Sequence, residues 1–298
     1  MSAAVRASYP AGMAVSSPPA VLSIAGSDSG GGAGIQADLK AFAACGVHGM
    51  TAITAITAQN TVGVDAVQPI DPEIVIAQVR AVVEDIGVDA VKIGMLGDTT
   101  TIAAVSEALD LLPAGTPIVV DPVMVSESGA RLLDEEAVEA LRTTIVRRAT
   151  VVTPNLPEAR VLAGSEGEAP EAGGTSAGGA EGEAAELARA VWRLGAKIVV
   201  VTGGHREQAV DVFFDGDRLE ELEGERYEHG AAHGSGCTHS STLAAYLARG
   251  ESPLEAAGKA RKAAGEAVRN GLRDIGAGPG PVDVLGIKLR RESALPLT

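Results

Sequence analysis

Short apolar runs alternate with amphipathic segments along this chain, and the alternation predicts strands and helices in turn. Residues 20–26, 49–57 and 197–201 are apolar and rich in β-branched side chains, as buried strands are. Residues 71–86 have helical periodicity and begin with Asp-Pro-Glu, a pattern typical of a helix N-terminus. The alternation shows no internal repeat. It therefore predicts an α/β fold, with an open parallel sheet and flanking helices.

Glycines and polar residues accumulate where the predicted strands end. In an open parallel sheet these ends meet at one crevice, and such folds bind their ligands there. The segments concerned are 26–34, 59, 94–97, 121, 153–158, 202–205 and 233–237. We therefore expect residues that are far apart in the sequence to form a single site.

The net charge and the cysteine content of the chain exclude some classes of binding partner. The chain has 298 residues, 46% of them hydrophobic, and a formal net charge of −15. This acidity argues against nucleic acid or an anionic membrane as the main partner, but an anionic substrate can still bind in a locally positive site. The two cysteines, Cys45 and Cys237, do not make a disulfide framework, so the pattern favours a reducing, cytoplasmic location.

The sequence predicts one domain with short tails. Residues 1–19 contain Ala, Ser and Pro without a compact apolar core, which predicts a disordered N-terminal tail. We assign residues 20–286 to the single domain and residues 287–298 to a frayed C-terminal tail. Within the domain, residues 164–183 are rich in Gly, Ala and Glu, which predicts a solvated surface loop.

Residues 231–241 are the stretch on which the functional interpretation depends. Gly234, Ser235 and Gly236 predict a small-residue turn, and a helical pattern begins at Cys237. A helix N-terminus offers free N–H groups and partial positive charge, which suit a phosphate. The same dipole would lower the pKa of Cys237, so that its thiolate could take a proton from an acceptor hydroxyl. The simpler alternative is a helix cap beside a small buried cysteine.

Three other predicted strand ends carry candidate ligand groups. Gln59 can read the donor and acceptor edge of a heterocycle through its amide. Asp121 is placed to bind Mg²⁺. Asn155 and Glu158, three residues apart at a predicted helix start, suit a hydrated Mg²⁺ that carries phosphates. For each of these residues the alternative is an ordinary turn or cap role.

The glycine-rich loop at residues 26–34 follows a predicted strand and precedes a predicted helix. It matches neither the dinucleotide fingerprint nor the P-loop pattern, so it need not hold a nucleotide. Close backbone approach to a flat small molecule is an equal interpretation. A flexible turn without a ligand is the remaining alternative.

Seven motifs occur in an order that resembles one known family. They are A-G-S-D-S-G-G-G-A-G-I-Q-A-D-L-K (25–40), T-A-Q-N-T (57–61), K-I-G-M-L (92–96), D-P-V-M (121–124), T-P-N-L-P-E-A (153–159), T-G-G-H (202–205) and H-G-S-G-C-T (233–238). Across about residues 20–286 the chain resembles the hydroxymethylpyrimidine/phosphomethylpyrimidine kinases of the ribokinase-like superfamily. The Q-N-T and G-C-T pieces separate this group from the sugar kinases of that superfamily.

The resemblance implies a ribokinase-like fold with three layers, in which a mostly parallel sheet lies between helices, and it often goes with a homodimer. It implies ATP- and Mg²⁺-dependent phosphorylation of 4-amino-5-hydroxymethyl-2-methylpyrimidine, and then of its monophosphate, in thiamine biosynthesis. It also implies pyrimidine binding by Gln59, Gly26, Asp28, Ala33, Asp38, Met95 and Val123. The remaining implied roles are metal and phosphate binding by Asp121, Asn155 and Glu158, nucleotide binding by Thr202, Gly203 and Gly204, an anion hole at Gly234, Ser235 and Gly236, and a catalytic base at Cys237.

One departure from the family pattern bears on the nucleotide. Thr202 stands where the family usually has a lysine, so one possible charge contact to ATP is missing. Two other functions remain open on the sequence alone. One is a pyridoxal kinase of the same superfamily, since some members also have a cysteine at the position of Cys237. The other is a non-catalytic module that binds a nucleotide or a thiamine precursor.

Overall fold

A single sheet of nine strands runs through the part of the chain that the structure, a computed structural model, describes: residues 17–125, 129, 132–164, 179–203, 210–225, 227 and 230–293. The strands are β1 (Ala20–Asp28), β2 (His48–Gln59), β3 (Val64–Pro69), β4 (Ala90–Ile93), β5 (Ile118–Val120), β6 (Val151–Val152), β7 (Ile198–Val201), β8 (Asp211–Phe214) and β9 (Leu219–Leu222). Their order in the sheet is β3-β2-β1-β4-β5-β6-β7-β8-β9.

The middle of the sheet is parallel and its two edges are antiparallel. Strands β2, β1, β4, β5, β6 and β7 pair in parallel, each with the next. At one edge β3 pairs antiparallel with β2, and at the other β8 and β9 form an antiparallel hairpin beside β7. The prediction of a mostly parallel sheet is confirmed. Six carboxyl ends therefore lie along the same edge of the sheet.

Helices cover both faces of this sheet. They are α1 (Gly34–Ala44), α2 (Pro72–Asp85), α3 (Thr99–Ala108), α4 (Glu135–Ala140), α5 (Leu156–Ala163), α6 (Gly179–Trp192), α7 (Ser235–Ala248), α8 (Pro253–Arg269) and α9 (Ile287–Ser293). A π turn (Leu141–Ile145) and a 3-10 turn (Val146–Arg148) continue α4. No helix among the residues described here combines the length and apolarity required for a bilayer span.

Local sequence explains where several helices begin. The Asp71 side chain accepts the N–H of Glu73 at the start of α2, with proline at the first helical position. Ser252 and Glu255 form a reciprocal capping box at the start of α8. These caps satisfy N–H groups that a helix leaves without partners in its first turn.

The core has two halves because side chains alternate across each strand. In β1, Leu22 faces the larger apolar cluster, whereas Val21 faces the second cluster together with Phe42 of α1 and Leu243 of α7. All four side chains are fully buried. Burial on both faces requires a helical layer on each side of the sheet. The predicted three-layer architecture is confirmed.

Some boundaries differ from those predicted. Strand β1 extends to Asp28, and β2 extends through Gln59, because the two strands pair as far as Asp28 and Thr57. Helix α6 begins at Gly179, so the prediction of a loop is wrong for residues 179–183. Residues 165–178 of that predicted loop, and residues 1–16 of the predicted N-terminal tail, lie outside the described residues.

The C-terminal tail also differs from the sequence-based expectation. Residues 287–293 form α9 instead of a frayed tail. The Asp283 carboxylate accepts the N–H groups of Ile287 and Lys288, which fixes the start of this helix. Asp283 lies four residues before the helix, and the sequence analysis had not recognised it as a capping residue.

Candidate active site

A cavity of about 380 Å³ opens at the carboxyl ends of the parallel strands. Its lining comes from the glycine-rich loop, the ends of β2, β5 and β6, and the start of α7, which are distant in sequence. The predicted site residues that line it are Gly26, Asp28, Ala33, Gln59, Met95, Asp121, Val123, Asn155, Glu158, Thr202, Gly234, Ser235, Gly236 and Cys237. The expected convergence of these segments on one site is therefore confirmed, whereas the role of each residue stays a prediction.

Three predicted residues are placed differently. Asp38 and Gly203 do not line the cavity. Gly204 lies outside the described residues. Asp38 is completely buried, and the pyrimidine contact that the family resemblance implied for it stays a prediction.

Helix α7 directs its N-terminus into the cavity. It begins at Ser235, so Ser235 and Gly236 lie in the first helical turn and do not precede the helix as predicted. Gly234 is the N-cap and has φ +85°, a conformation that favours glycine. A Cβ atom at Gly234 would lie 1.7 Å from the carbonyl oxygen of Gly32. Backbone contact between the two loops thus requires glycine at this position.

The start of α7 has the backbone N–H groups from which the sequence analysis predicted an anion site. In the first turn of a helix the N–H groups have no partner within the helix. Those of Gly236 and Cys237 belong to this set, and both residues line the cavity. Their donors and the helix dipole together make a site for a phosphate group.

Cys237 has a different protonation state from the one that its position in the helix predicted. Burial raises the pKa of its thiol to about 12, and the carboxylates of Asp121 and Asp38 act in the same direction. The ammonium of Lys92 and the N–H of Gly34, which donates to the sulfur, oppose this rise. The expected lowering of the pKa is therefore wrong, because desolvation outweighs the helix dipole. Burial thus favours the thiol form of Cys237 in the free protein.

Lys92 and Asp38 form a fully buried ion pair under the site. The Lys92 Nζ atom lies 2.9 Å from Asp38 Oδ1 and 3.7 Å from Asp121 Oδ2. Ser23 and Ser241 donate hydroxyl hydrogen bonds to Asp38 at 2.6 and 2.7 Å. Burial alone would lower the pKa of Lys92, but the neighbouring carboxylates and the Cys237 thiolate form raise it. Lys92 is therefore a permanent cation that ties β4, α1 and α7 together.

Asp121, which directly follows β5, and Glu158, in the first turn of α5, form an acidic pair. Burial raises the pKa of Asp121, with Lys92 acting against the rise, and Ser240 donates to its Oδ2 atom at 3.0 Å. Burial, with the charge of Asp121 adding to it, raises the pKa of Glu158 to about 8. The two carboxylates thus repel each other in a site of low polarity, which a cation would relieve.

The donor set fits Mg²⁺ bound jointly with a nucleotide. The described part of the chain holds no cluster of three or more His, Cys, Asp or Glu side chains arranged as a complete metal cage. Mg²⁺ commonly binds to one or two carboxylates, with waters and substrate phosphates completing its shell. Asp121 and Glu158 supply two such carboxylates in the same cavity as the phosphate-binding helix start.

Asn155 and Glu158 also have the cap role that was the simpler alternative. The Asn155 side chain accepts the N–H of Glu158, and the Glu158 carboxylate accepts the N–H of Asn155, both at 2.9 Å. This capping box starts α5. The Glu158 carboxylate also accepts the backbone N–H of Met124, so two backbone donors hold it in place beside the cavity.

Asp28 organises the glycine-rich loop. Its carboxylate accepts the N–H groups of Gly30, Gly32 and Ala33, and it lies 3.1 Å from the Nε2 atom of His233. Burial acts to raise the pKa of Asp28, but these hydrogen bonds outweigh it and the pKa is lowered. Asp28 thus joins the glycine-rich loop to the loop before α7. The sequence analysis quoted His233 only as part of a motif and gave it no role.

Gln59 ends β2 at the opposite wall of the cavity. Its side-chain oxygen lies 3.2 Å from the Thr57 hydroxyl, which also donates to the Ser27 backbone oxygen at 2.9 Å. Met95 also lines the cavity, and its backbone oxygen accepts a hydrogen bond from the Thr54 hydroxyl. A half-buried amide beside an apolar side chain suits a flat, polar-edged heterocycle.

The fold and the site together define a class of protein. A three-layer α/β fold presents a helix N-terminus, two carboxylates and a thiol around one cavity. Positioned N–H groups and a metal that neutralises charge are what phosphoryl transfer requires. The arrangement is that of an α/β enzyme which transfers a phosphoryl group to a small molecule.

Comparisons with known proteins specify the class. A family model described as phosphomethylpyrimidine kinase matches residues 28–283. The hydroxymethylpyrimidine/phosphomethylpyrimidine kinase of Rhizobium meliloti is 49% identical over 264 residues, which are 88% of this chain and 95% of the relative. A thiamine biosynthesis bifunctional protein of Geobacter sulfurreducens is 41% identical over 93% of this chain and 53% of its own length.

A solved structure supports the fold. An ADP complex of Bacillus subtilis pyridoxal kinase has a TM-score of 0.79 and 37% identity to this chain, covering 92% of it and 100% of the other protein. The chain belongs to the phosphomethylpyrimidine kinase family and is a phosphotransferase, for which the family implies ATP as the phosphate donor. The family resemblance seen in the sequence motifs is confirmed.

Proposed function

We propose that this protein transfers the γ-phosphoryl group of ATP to 4-amino-5-hydroxymethyl-2-methylpyrimidine, and a second one to the resulting monophosphate, in thiamine biosynthesis. One observation carries the proposal: Gln59 at the end of β2, Asp121 directly after β5 and Cys237 on α7 line the same cavity. In this proposal the Gln59 amide binds the heterocycle, the Asp121 carboxylate binds the metal and the start of α7 binds the phosphoryl group. All three groups line the cavity in which one small substrate would bind. The family membership supports the same assignment.

The pyrimidine would lie between the glycine-rich loop and the wall formed by Gln59 and Met95. The Gln59 amide would pair with the aminopyrimidine edge, since it has one donor group and one acceptor. The hydroxymethyl oxygen would then point to the start of α7. There the N–H groups of Gly236 and Cys237 would bind the transferring phosphoryl group.

Asp121 and Glu158 would hold Mg²⁺ with the nucleotide phosphates. The metal supplies neutralisation of the charge on the phosphates. Deprotonated Glu158 is needed for this role, and a bound cation would favour that form against the burial that raises its pKa to about 8. Thr202 would contact the nucleotide at the end of β7, where it lines the cavity.

Cys237 would act on the acceptor hydroxyl. Because burial favours its thiol form, Cys237 would first release its own proton to solvent through the cavity, and the thiolate would then accept the hydroxyl proton. The buried ammonium of Lys92 acts to lower the pKa of Cys237, as does the Gly34 N–H, and it is the larger of these two influences. We therefore place Lys92 behind Cys237 as its charge partner.

We also propose that the protein works in the cytoplasm as a homodimer. The cysteine usage of the sequence supports the reducing location, and the family resemblance supports the dimer. Light scattering after size-exclusion chromatography tests the dimer directly. A monomer at micromolar concentration would contradict it.

Product analysis by mass tests the reaction. The protein is incubated with Mg²⁺, ATP and hydroxymethylpyrimidine, and we expect first a monophosphate and then a diphosphate. Reactions without ATP, and with Cys237→Ala protein, are the controls. Detection of neither product would contradict the proposal, and a monophosphate alone would restrict it to the first step.

Pyridoxal is the second candidate acceptor. The similarity to Bacillus subtilis pyridoxal kinase, at 37% identity over nearly the whole chain, is the specific observation in its favour. Equimolar pyridoxal and hydroxymethylpyrimidine in one reaction compare the two kcat/KM values directly. We expect hydroxymethylpyrimidine to be consumed first, and preferential consumption of pyridoxal would reverse the assignment.

A further inference from the structure

A buried polar cluster lies on the nucleotide side of the cavity and has no part in the proposed mechanism. It consists of Asp211 on β8, His239 on α7 and Arg261 on α8. Their side chains are 2%, 5% and 9% exposed. Three elements thus contribute ionisable groups to one small, nearly dry volume, which is costly unless the groups serve one another or a ligand.

Asp211 is the centre of this cluster. Its Oδ1 atom accepts the N–H of Gly203 at 2.9 Å and lies 3.6 Å from the Nε atom of Arg261. Its Oδ2 atom lies 3.2 Å from the Nε2 atom of His239. The carboxylate therefore contacts the nucleotide loop, which begins at Thr202 and Gly203, and two side chains that can carry positive charge.

Several polar atoms of the cluster are left unpaired. Asp211 Oδ2 and both ring nitrogens of His239 are buried and have no hydrogen-bond partner among the described residues. The 3.2 Å approach of His239 to Asp211 is thus a close contact without hydrogen-bond alignment. Unpaired buried groups are rare in folded proteins and call for an explanation. Hydrogen bonds in a ligand-free active site are often misaligned and tighten when the substrates bind.

All three side chains line the cavity, as does Thr202. Arg261 continues into a row of small or apolar residues on the same face of α8, formed by Ala264, Gly265 and Val268, which also line the cavity. A guanidinium beside a small, apolar face suits a nucleoside phosphate, which has both anionic and flat apolar parts.

We propose that Asp211 is a positioning residue for the nucleotide. Its carboxylate holds the nucleotide loop through the Gly203 N–H and orients Arg261 and His239, which bind the anionic part of the nucleotide. Within the cluster the Arg261 guanidinium is the positively charged group on this side of the cavity, where Thr202 has none. The inference rests on the proposed binding of the nucleotide at Thr202.

ADP binding measured by isothermal titration calorimetry tests this role without relying on turnover. Asp211→Asn keeps the size of the side chain and removes its charge. We expect ADP affinity to fall at least about tenfold, the loss typical of one hydrogen bond to a charged group. We expect the KM for hydroxymethylpyrimidine to change by less than about twofold, because Gln59 and the glycine-rich loop belong to the other part of the cavity. If Asp211 had a purely structural role, Asp211→Asn would weaken the binding of ADP and of hydroxymethylpyrimidine alike.

The matched control is Glu221→Gln, which removes the same charge from an exposed position on β9, the strand paired with β8. It should bind ADP as the wild type does. His239→Gln is the second test variant and should also weaken ADP selectively. If Asp211→Asn does not fold, His239→Gln alone decides, and wild-type ADP affinity in that variant would overturn the inference.

The outcomes distinguish this inference from the proposed function. Wild-type binding of ADP together with unchanged affinity in Asp211→Asn would overturn the positioning role and leave the proposed function intact. No ADP binding by the wild type would overturn both. Equal losses of ADP and pyrimidine affinity in Asp211→Asn would indicate a general structural role and would also overturn the inference.

Discussion

At the scale of single residues, we expect substitution of Cys237 to affect catalysis most directly. Cys237→Ala removes the group that accepts the hydroxyl proton, so kcat should fall by about 10²–10⁴. Pyrimidine binding should change little, because the side chain becomes only slightly smaller. Steady-state kinetics and calorimetric titration with hydroxymethylpyrimidine measure the two effects separately.

The other cysteine provides a matched control for this experiment. Cys45 is buried in the second core cluster and does not line the cavity. Cys45→Ala should lower the melting temperature and leave kcat near its wild-type value. A near-normal kcat in Cys237→Ala would remove Cys237 as the proton acceptor.

The raised pKa of Glu158 predicts that the stability of the folded protein depends on pH. Its pKa in the folded protein is about 8, above the unfolded value of about 4.3 for glutamate, so the folded state holds a proton that the unfolded state loses. The resulting stability is fully present below about pH 4 and is lost as the pH rises through 8. Glu158→Gln imitates the protonated form and can still accept the N–H of Asn155.

We therefore expect the melting temperature of Glu158→Gln to exceed that of the wild type increasingly from pH 5 to pH 8, reaching a difference on the order of 5 °C without divalent cations. Calorimetry in EDTA measures this difference. Added Mg²⁺ should stabilise the wild type more than the variant if Glu158 is a ligand. A difference that does not vary with pH would show that Glu158 titrates normally.

The sequence predicted the place of Cys237 and Glu158 but not their chemistry. A helix start is a local pattern, so the position of Cys237 and the capping partners of Glu158 could be read from neighbouring residues. Their pKa values depend on Asp121, Asp38 and burial, which only the fold brings together. For the same reason the ion pair between Asp38 and Lys92 could not be predicted from the sequence.

At the scale of elements, Gly234 and Gly236 lie where α7 meets the glycine-rich loop, and we expect alanine substitutions at these two positions to have opposite effects on stability. Gly234→Ala places a side chain in a left-handed conformation and against the Gly32 carbonyl. We expect a loss of about 2 kcal/mol or more in stability, together with reduced kcat, since the loops must separate. Thermal unfolding and kinetics on the purified variant measure both.

Gly236 is the comparison for stability. A Cβ atom at Gly236 would meet nothing within 4 Å, and the residue lies in the first turn of the same helix. Gly236→Ala should therefore keep or raise the melting temperature, because alanine favours helix. Equal stability of the two variants would show that the conformation of Gly234 does not matter.

Helices and strands could be predicted where a short local sequence pattern is enough to identify them. The proline after Asp71 and the β-branched run before Gln59 indicate α2 and β2 without reference to other parts of the chain. The start of α6 at Gly179 was missed because Gly, Ala and Glu are typical of both loops and exposed helices. The helix propensity of Ala and Glu prevailed there.

At the scale of the whole molecule, the last third of the chain docks onto the first. His233 lies 3.1 Å from Asp28, and Ser241 donates to Asp38 at 2.7 Å, although more than 200 residues separate each pair. No local pattern specifies such pairs, so His233, Lys92 and Asp211 received no role from the sequence. Because open parallel sheets bind ligands at the carboxyl ends of their strands, the sequence was enough to predict that the motifs meet there. It was not enough to predict the side-chain contacts that fix their positions.

The net charge of −15 predicts how the whole molecule responds to salt. Repulsion among like charges destabilises the compact state, and screening reduces it as the Debye length falls from ~10 Å at 0.1 M to ~3 Å at 1 M. We expect the melting temperature to rise between 0.1 and 1 M KCl, measured by calorimetry at pH 8. A flat or falling curve would show that self-repulsion is already balanced locally.

The double variant Glu84→Gln, Asp85→Asn provides the control for this salt effect. Both residues are exposed at the C-terminal end of α2, where negative charge also opposes the helix dipole. Removing both changes the net charge from −15 to −13. The variant should therefore melt above the wild type at 0.1 M KCl, and the difference should shrink as KCl is raised, since screening acts on the same repulsion. A difference that persists at 1 M KCl would point to helix propensity as its cause.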